Sequence, residues 1–355
     1  MSKTIRVGMA GMDHFFAALS ALPALAQSPH ARLEIVAHRD GGRAREVAQR
    51  FNAHATTDYQ SVVASDDVDL VITACPTSEN AALCVEAARR GKHILSVKPF
   101  AMNLTEADAI LDAVRRAGVH FMSFDSNGRV SPRQQQFKTW IKEGRLGRPI
   151  SAFCLLRSAM PEIAWMGAPL VRARTWWMDP SQVPGGGWID HAIYEIDFLR
   201  WLLDDEVERI SGETANLKHL DEPLEDFGVA VVKMKSGFVA TVEVTWTAEF
   251  SGLVMSTHLV GTGGQVLEQS VMTGTLPTFK MDTRLQRIEY ADPILGWQEV
   301  TPPAREGSLV THMVDVIRGE ASPVADGSDA RANLAACLAF YQAAREGKPL
   351  SPASL

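Results

Sequence analysis

The stretch TIRVGMAGMDHFF, residues 4–16, decides how the chain is read. It starts as a short β-like run, turns through glycines and opens FFAALSALPALAQ (15–27), which has helical spacing. Pro23 is expected to kink or interrupt that helix. The same pairing of strand and helix recurs down the first third of the chain. RLEIVAHR (32–39) leads into GGRAREVAQRFN (41–52), and VDLVITACP (68–76) into SENAALCVEAARRGK (78–92), which stops at Gly91. HILSVKP (93–99) leads into NLTEADAILDAVRRAG (103–118), with a Thr-led start and a stop at Gly118, and VHFMSF (119–124) is a fifth strand. Repeated βα units with short connections predict an α/β domain, a doubly wound parallel sheet.

Beyond residue 123 the pattern changes. PISAFCLLR (149–157) reads as a strand, and DFGVAVVKMKSGFVATVEVTW (226–246) as two strands turning at Ser236–Gly237. LVMSTHLVGTGGQVLEQ (253–269) reads as another turn between strands. Strands without intervening helices predict an α+β domain with a large, mainly antiparallel open sheet over 124–355. SLVTHMVDVIRG (308–319) and DARANLAACLAFYQAAREG (329–347) are amphipathic helices that pack back at the end.

The composition is that of a globular protein: 355 residues, 46% hydrophobic and 22% charged, enough for two domains. A net charge of -7 offers no footprint for nucleic acid. Cys75, Cys84, Cys154 and Cys337 form no C-x-x-C pair, so neither a zinc site nor a disulfide framework is expected. His54, His93, His258 and His312 show no metal-ligand spacing, and no metal is expected. The N-terminus lacks a signal-peptide core and no apolar run spans a bilayer, which predicts a soluble, cytoplasmic protein without a membrane partner.

Candidate site residues lie at the carboxyl ends of the predicted strands, where open α/β sheets bind ligands. In the first turn Gly11 fills the first place of G-x-G-x-x-G, but Asp13 takes the second and Phe16 the third, with Met12 between. A helix N-terminus there attracts a pyrophosphate, and an aspartate beside it is electrostatically awkward; a plain strand-to-helix turn is the competing reading. After the second strand His38 and Arg39 stand where an acid usually binds the adenosine ribose. Basic residues there suit a 2′-phosphate, which favours NADP slightly over NAD. Lys98 ends the fourth strand in VKP, either aimed into the crevice or snorkelling to water.

Together these pieces resemble the Gfo/Idh/MocA family, the glucose–fructose oxidoreductase and inositol dehydrogenase group. Its E-K-P signature is matched at Lys98 and Pro99, with Val97 in place of the glutamate. ACPTSENAALCVEAARRGKHILSVKP (74–99) follows the family's run, with Cys75, Pro76 and Thr77 at its T-P-like turn. GRLGRPIS (144–151) and GGGWIDHAIYEIDFLRWL (185–202) match its entry into the second domain and its G-G-G…D…D…L segment. The resemblance implies a Rossmann domain for NAD(P), and a sheet domain that walls the substrate site and often forms the interface of a homodimer or homotetramer. The implied activity is reversible oxidation of a sugar or polyol hydroxyl.

Within 185–202, Asp190, Tyr194, Asp197 and Trp201 share one stripe at helical spacing; Ile189, Ile193, Ile196, Leu199 and Leu203 form the apolar stripe beside it. The glycines are expected to let substrate and cofactor approach the helix start, and Asp197 is expected to be structural. By resemblance, Asp190 positions the substrate. Four residues on, the family usually carries an acid/base histidine; this chain has Tyr194 there and His191 beside the aspartate. A Lys98–Tyr194 pair is the preferred proton relay, since a nearby cation lowers a phenol's pKa. His191 is the alternative, although helical geometry turns it about 100° from Asp190. In SFDSNGRVSP (123–132), Asp125, Asn127 and Arg129 are candidates for nicotinamide or substrate, against a plain polar turn. In RARTWWMDP (172–180), Trp177 is a candidate sugar platform, with Trp176, Arg172 and Arg174 nearby, against a core role. The expected function is an NAD(P)-dependent dehydrogenase or reductase acting on CH–OH groups. Its rivals are a non-redox binding or regulatory protein on the same scaffold, and a hydrolase or lyase that recycles bound NAD.

Overall fold

The expected βα units are all present in the computed structural model, which describes residues 4–160, 176–248, 253–275, 280–301 and 307–355. Strands β1 (Ile5–Ala10) and β2 (Ala31–Ala37) flank α1 (Phe15–Gln27), and α2 (Gly41–Phe51) follows. A short β3 (His54–Thr56) and α3 (Tyr59–Ala64), absent from the sequence reading, come next. Then alternate β4 (Leu70–Thr73), α4 (Thr77–Arg89), β5 (His93–Ser96), α5 (Leu104–Ala117) and β6 (Phe121–Ser123). The six strands form a sheet in the order β3-β2-β1-β4-β5-β6, parallel at every pairing. Strands β1 and β4 are almost wholly buried, as a sheet covered on both faces requires.

Helix ends follow local chemistry. Asp40 caps α2 by accepting from Gly42 N and Arg43 N. At α5 the cap is Asn103 rather than a threonine, and Glu106 reaches back to accept from Met102 N, one residue before the cap. Gly118 ends that helix at φ 65°. Pro23 does not interrupt α1, which continues to Gln27 because Ala21, Leu22 and Leu25 are buried around it.

The second sheet comprises β7 (Pro149–Arg157), β8 (Val207–Ala215), β9 (Phe227–Met234), β10 (Val239–Thr245), β11 (Leu253–Gly261), β12 (Gln265–Thr275), β13 (Lys280–Asp292) and β14 (Gly296–Val300). Its order is β14-β13-β12-β11-β7-β10-β9-β8. Only the β7–β10 pairing is parallel among its described pairs. The expected turn at Ser236–Gly237 joins β9 to β10, with Gly237 at φ 90°. Helices α6 (Pro132–Lys142) and α7 (Gly187–Leu203) accompany this sheet, and α7 packs on β7, β9 and β10. Ile189, Ile193, Ile196 and Leu199 are fully buried, as the apolar stripe required.

Contacts divide the chain into one unit of Met1–Ser131 with Glu306–Leu334 and another of Pro132–Arg305 with Ala335–Leu355. The first unit thus runs past residue 123 and takes in α8 (Leu309–Ile317) and the first turns of α9 (Gly327–Glu346). The apolar face of α8 packs on α1 and β5. No helix among the described residues is long and apolar enough to cross a membrane.

Candidate functional site

In the first unit the glycine-rich turn is strapped across the sheet. Gly11 N donates to Ala37 O at 3.1 Å, and His14 N to Ala74 O at 2.8 Å. Gly11 has φ 91°, and an added Cβ would stand 2.9 Å from the Cys75 backbone, so only glycine fits there. Met12 is buried, and His14 caps α1 by accepting from Ala17 N at 3.1 Å. Asp13, the residue that breaks the motif, accepts from the Tyr59 hydroxyl. Its other oxygen lies 3.9 Å from His38 Nε2. It is therefore engaged by a hydroxyl from α3, with an imidazole from the end of β2 nearby.

His38 is buried, and its Nδ1 accepts from Asp40 N at 3.0 Å. Burial lowers its pKa while Asp13 pulls the other way, so it is neutral at neutral pH. Arg39 donates to Glu79 and lies over the Tyr59 ring at 5.8 Å. Beyond β4, Cys75 is buried and its thiol is pushed well above the ordinary range by that burial. Pro76 occupies the N-cap of α4, and Thr77 begins the helix. The Thr77 hydroxyl is buried with no partner among the described residues. Lys98 is 2% exposed, so it does not snorkel to water.

These residues fit a dinucleotide. A glycine turn with no room for a Cβ opens α1, and an unsatisfied hydroxyl opens α4; both are groups that a phosphate or ribose would engage. When bound, the nicotinamide would supply the hydride donor or acceptor.

The turn after β6 is largely structural. Asn333 Nδ2 donates to Asp125 Oδ2 at 3.0 Å. Arg129, expected as a substrate ligand, instead forks onto Asp329 at 2.9 and 3.1 Å and donates to Val324 O at 3.0 Å. A buried guanidinium held this way clasps the returning segment to its own unit. Asn127 remains partly exposed.

In the second unit, Asp190 lies in the first turn of α7 without capping it; the N-cap is Gly186. Capping falls to Glu225, whose carboxylate accepts from Gly186 N and Trp188 N at 3.1 Å. Tyr341 donates to that carboxylate at 2.6 Å and accepts from Ile189 N at 3.1 Å. Burial raises the Glu225 pKa, and the Tyr341 and amide hydrogen bonds oppose the rise. The glycines serve this packing. A Cβ at Gly185 would collide with the Tyr341 ring, and one at Gly186 with the Glu225 carbonyl. The close approach that these glycines permit in the structure is that of Glu225 and Tyr341.

Asp190 is 7% exposed, and its Oδ2 accepts from Trp246 Nε1 at 3.0 Å. His191 Nδ1 lies 3.1 Å from the same oxygen, at ion-pair distance but without hydrogen-bond alignment. His191 therefore does not point away, and its ring centroid is 6.0 Å from that of Tyr194. Trp177 is not an open platform: it is buried with Val183 and Trp246 and stacks on Trp176 at 4.2 Å. Arg172 and Arg174 lie outside the described residues. Asp197 is buried, in keeping with a structural role. Trp246, Glu225, Tyr341, Tyr59 and Glu79 escaped the sequence reading. Each acts across a long chain separation, and no local spacing marks it.

Comparison with known proteins agrees with both halves. The family model described as "Oxidoreductase family, NAD-binding Rossmann fold" matches residues 5–124. That of the "GFO/IDH/MocA C-terminal domain" matches residues 134–267. The chain is 26% identical over 309 residues to 1,5-anhydro-D-fructose reductase of Ensifer adhaerens, covering 85% of this chain and 87% of that one. It is 26% identical over 332 residues to scyllo-inositol 2-dehydrogenase (NAD(+)) of Bacillus subtilis, covering 91% and 89%. The fold is shared with the crystal structure of aldose-aldose oxidoreductase from Caulobacter crescentus, at TM-score 0.79, 19% identity, and 98% and 100% coverage.

Proposed function

Because the chain belongs to the Gfo/Idh/MocA family of oxidoreductases, we propose that it transfers hydride between a nicotinamide dinucleotide and a hydroxyl or carbonyl of a sugar or polyol. The relatives named above support that substrate class, and none of them is a hydrolase, lyase or regulatory protein. The observation that carries the reading is the Trp246–Asp190–His191 arrangement. A buried carboxylate, fixed by an indole N–H, lies 3.1 Å from an imidazole nitrogen at the start of α7.

In this reading Lys98 hydrogen-bonds and polarises the reacting oxygen, Asp190 orients substrate and imidazole, and His191 moves the proton. An imidazole titrates near neutrality, where an unassisted phenol does not. The proximity of Asp190 therefore favours His191 over Tyr194. Gly11, Met12, Cys75, Pro76 and Thr77 form the dinucleotide cradle. We propose NAD(H) as the working cofactor, reversing the tilt toward NADP, because Arg39 is paired with Glu79 and His38 is neutral. Self-association as a homodimer or homotetramer belongs to the same reading; Phe153, Val231 and Val239 lie partly exposed on one sheet face.

The test is NADH formation from NAD+ across a panel of sugars and polyols, followed by nicotinamide absorbance. Turnover with at least one is expected, and His191→Asn should lower kcat by about 10²–10⁴-fold. Protein that binds NADH yet turns over no sugar or polyol would overturn the reading. A His191→Asn enzyme at full rate beside a dead Tyr194→Phe would return the proton to Tyr194.

A further inference from the structure

We infer that Glu79 is a specificity-determining residue for the dinucleotide: by holding the Arg39 guanidinium, it withholds from a 2′-phosphate the cation that the end of β2 presents. The inference rests on the dinucleotide reading above and deepens it.

Glu79 lies in the first turn of α4, where the helix dipole favours an acid, and its backbone N–H is tied to Pro76 O at 3.1 Å. Arg39 directly follows His38 beyond β2, and its Nη2 donates to Glu79 Oε1. The same guanidinium lies 5.8 Å over the ring of Tyr59, whose hydroxyl donates to Asp13 in the glycine turn. Asp13 in turn lies 3.9 Å from His38 Nε2. A chain of contacts thus joins the ends of β1, β2 and β4 through α3, all within the first unit.

Its charge sum decides which dinucleotide it suits. Two carboxylates, Asp13 and Glu79, face one guanidinium beside a neutral imidazole, which leaves the cluster at about -1. Nearby, Asp40 and Arg43 offset each other at 3.5 Å. A 2′-phosphate brings close to two further negative charges, whereas a 2′-hydroxyl brings none and can bond to either partner. The side chains of Arg39 and Glu79 are 56% and 35% exposed, so water screens the pair and a competing phosphate can break it. The effect is therefore a graded preference rather than an absolute block.

Dissociation constants for NADH and NADPH, from nicotinamide fluorescence on the full chain, test this in wild type, Glu79→Gln, Arg39→Gln and the double variant. Wild type is expected to prefer NADH. Glu79→Gln should lower the ratio of NADPH to NADH dissociation constants by about threefold to tenfold. That change should be clearly smaller in the Arg39→Gln background, where only Glu79's direct repulsion is left to remove, because Glu79 acts mainly through Arg39. A ratio unmoved by Glu79→Gln, a wild-type preference for NADPH, or an equal gain in both backgrounds would overturn the inference while leaving the oxidoreductase reading intact. Folded wild type that binds neither dinucleotide would overturn both.

Discussion

Asp13 and Glu195 show how the fold treats a carboxylate that its local sequence leaves exposed to trouble. Asp13 breaks a phosphate-turn motif, and it accepts a hydrogen bond from Tyr59 and lies near His38, residues 46 and 25 positions away. Glu195 lies on α7 and is pushed up to about 7 by burial; a hydrogen bond with the Cys154 thiol opposes the rise, and Glu268 adds to it. The folded chain thus holds this proton more tightly than the unfolded chain, whose glutamate titrates near 4.5. Between those values rising pH removes stability, and above about 7 the loss is complete, on the order of 3 kcal/mol. Glu195→Gln should keep that stability. Melting temperatures at about pH 5 and about pH 8 should therefore differ less in the variant than in wild type; an unchanged difference would refute the assignment. The sequence flagged Asp13 as awkward without giving its partners and did not mark Glu195, because the settings of both depend on neighbours from other elements.

Helix α7 shows the same division at the scale of an element. Its apolar stripe was legible from spacing alone and is buried from Ile189 to Leu199, with Leu203 half-buried at the helix end. Its first turn was not legible. Glycines at 185–187 imply close approach, but the partners are Glu225 and Tyr341, from before β9 and from α9. Trp188 then locks the helix to the sheet, donating to Val242 O at 3.2 Å and stacking on Phe340 at 3.8 Å. Gly186→Ala forces a Cβ into the Glu225 carbonyl and should cost about 1–3 kcal/mol. Tyr341→Phe leaves Ile189 N–H and the Glu225 carboxylate each short of a bond, for about 1–3 kcal/mol. Chemical denaturation checks both, and a loss below about 0.5 kcal/mol for either would mean that the turn relaxes.

At the scale of the whole molecule, chain order and folded unit do not coincide. Segment 306–334 belongs to the first unit although strands β7 to β14 intervene. Leu309, Val310, Met313, Val314 and Val316 of α8 are all buried. At about 1.5–3 kcal/mol per side chain, their burial is worth on the order of 10 kcal/mol, comparable to a domain's net stability. A chain truncated after Thr301 should therefore lose NADH binding and fold poorly, despite keeping the entire parallel sheet. Full NADH affinity in that fragment would show the returning segment to be dispensable.

By itself the sequence determined the βα alternation, the change to an antiparallel sheet, the buried stripe of α7 and the glycine at 11, because each rests on period, turn chemistry or a backbone angle written in neighbouring residues. Tertiary structure alone decided that Glu225 and Tyr341 cap α7, that Arg129 clasps Asp329, that Trp246 fixes Asp190, and that Glu79 neutralises Arg39. Those outcomes are hydrogen bonds and ion pairs between distant positions. Their strength depends on burial and on angles of approach, which do not exist until the sheets have formed.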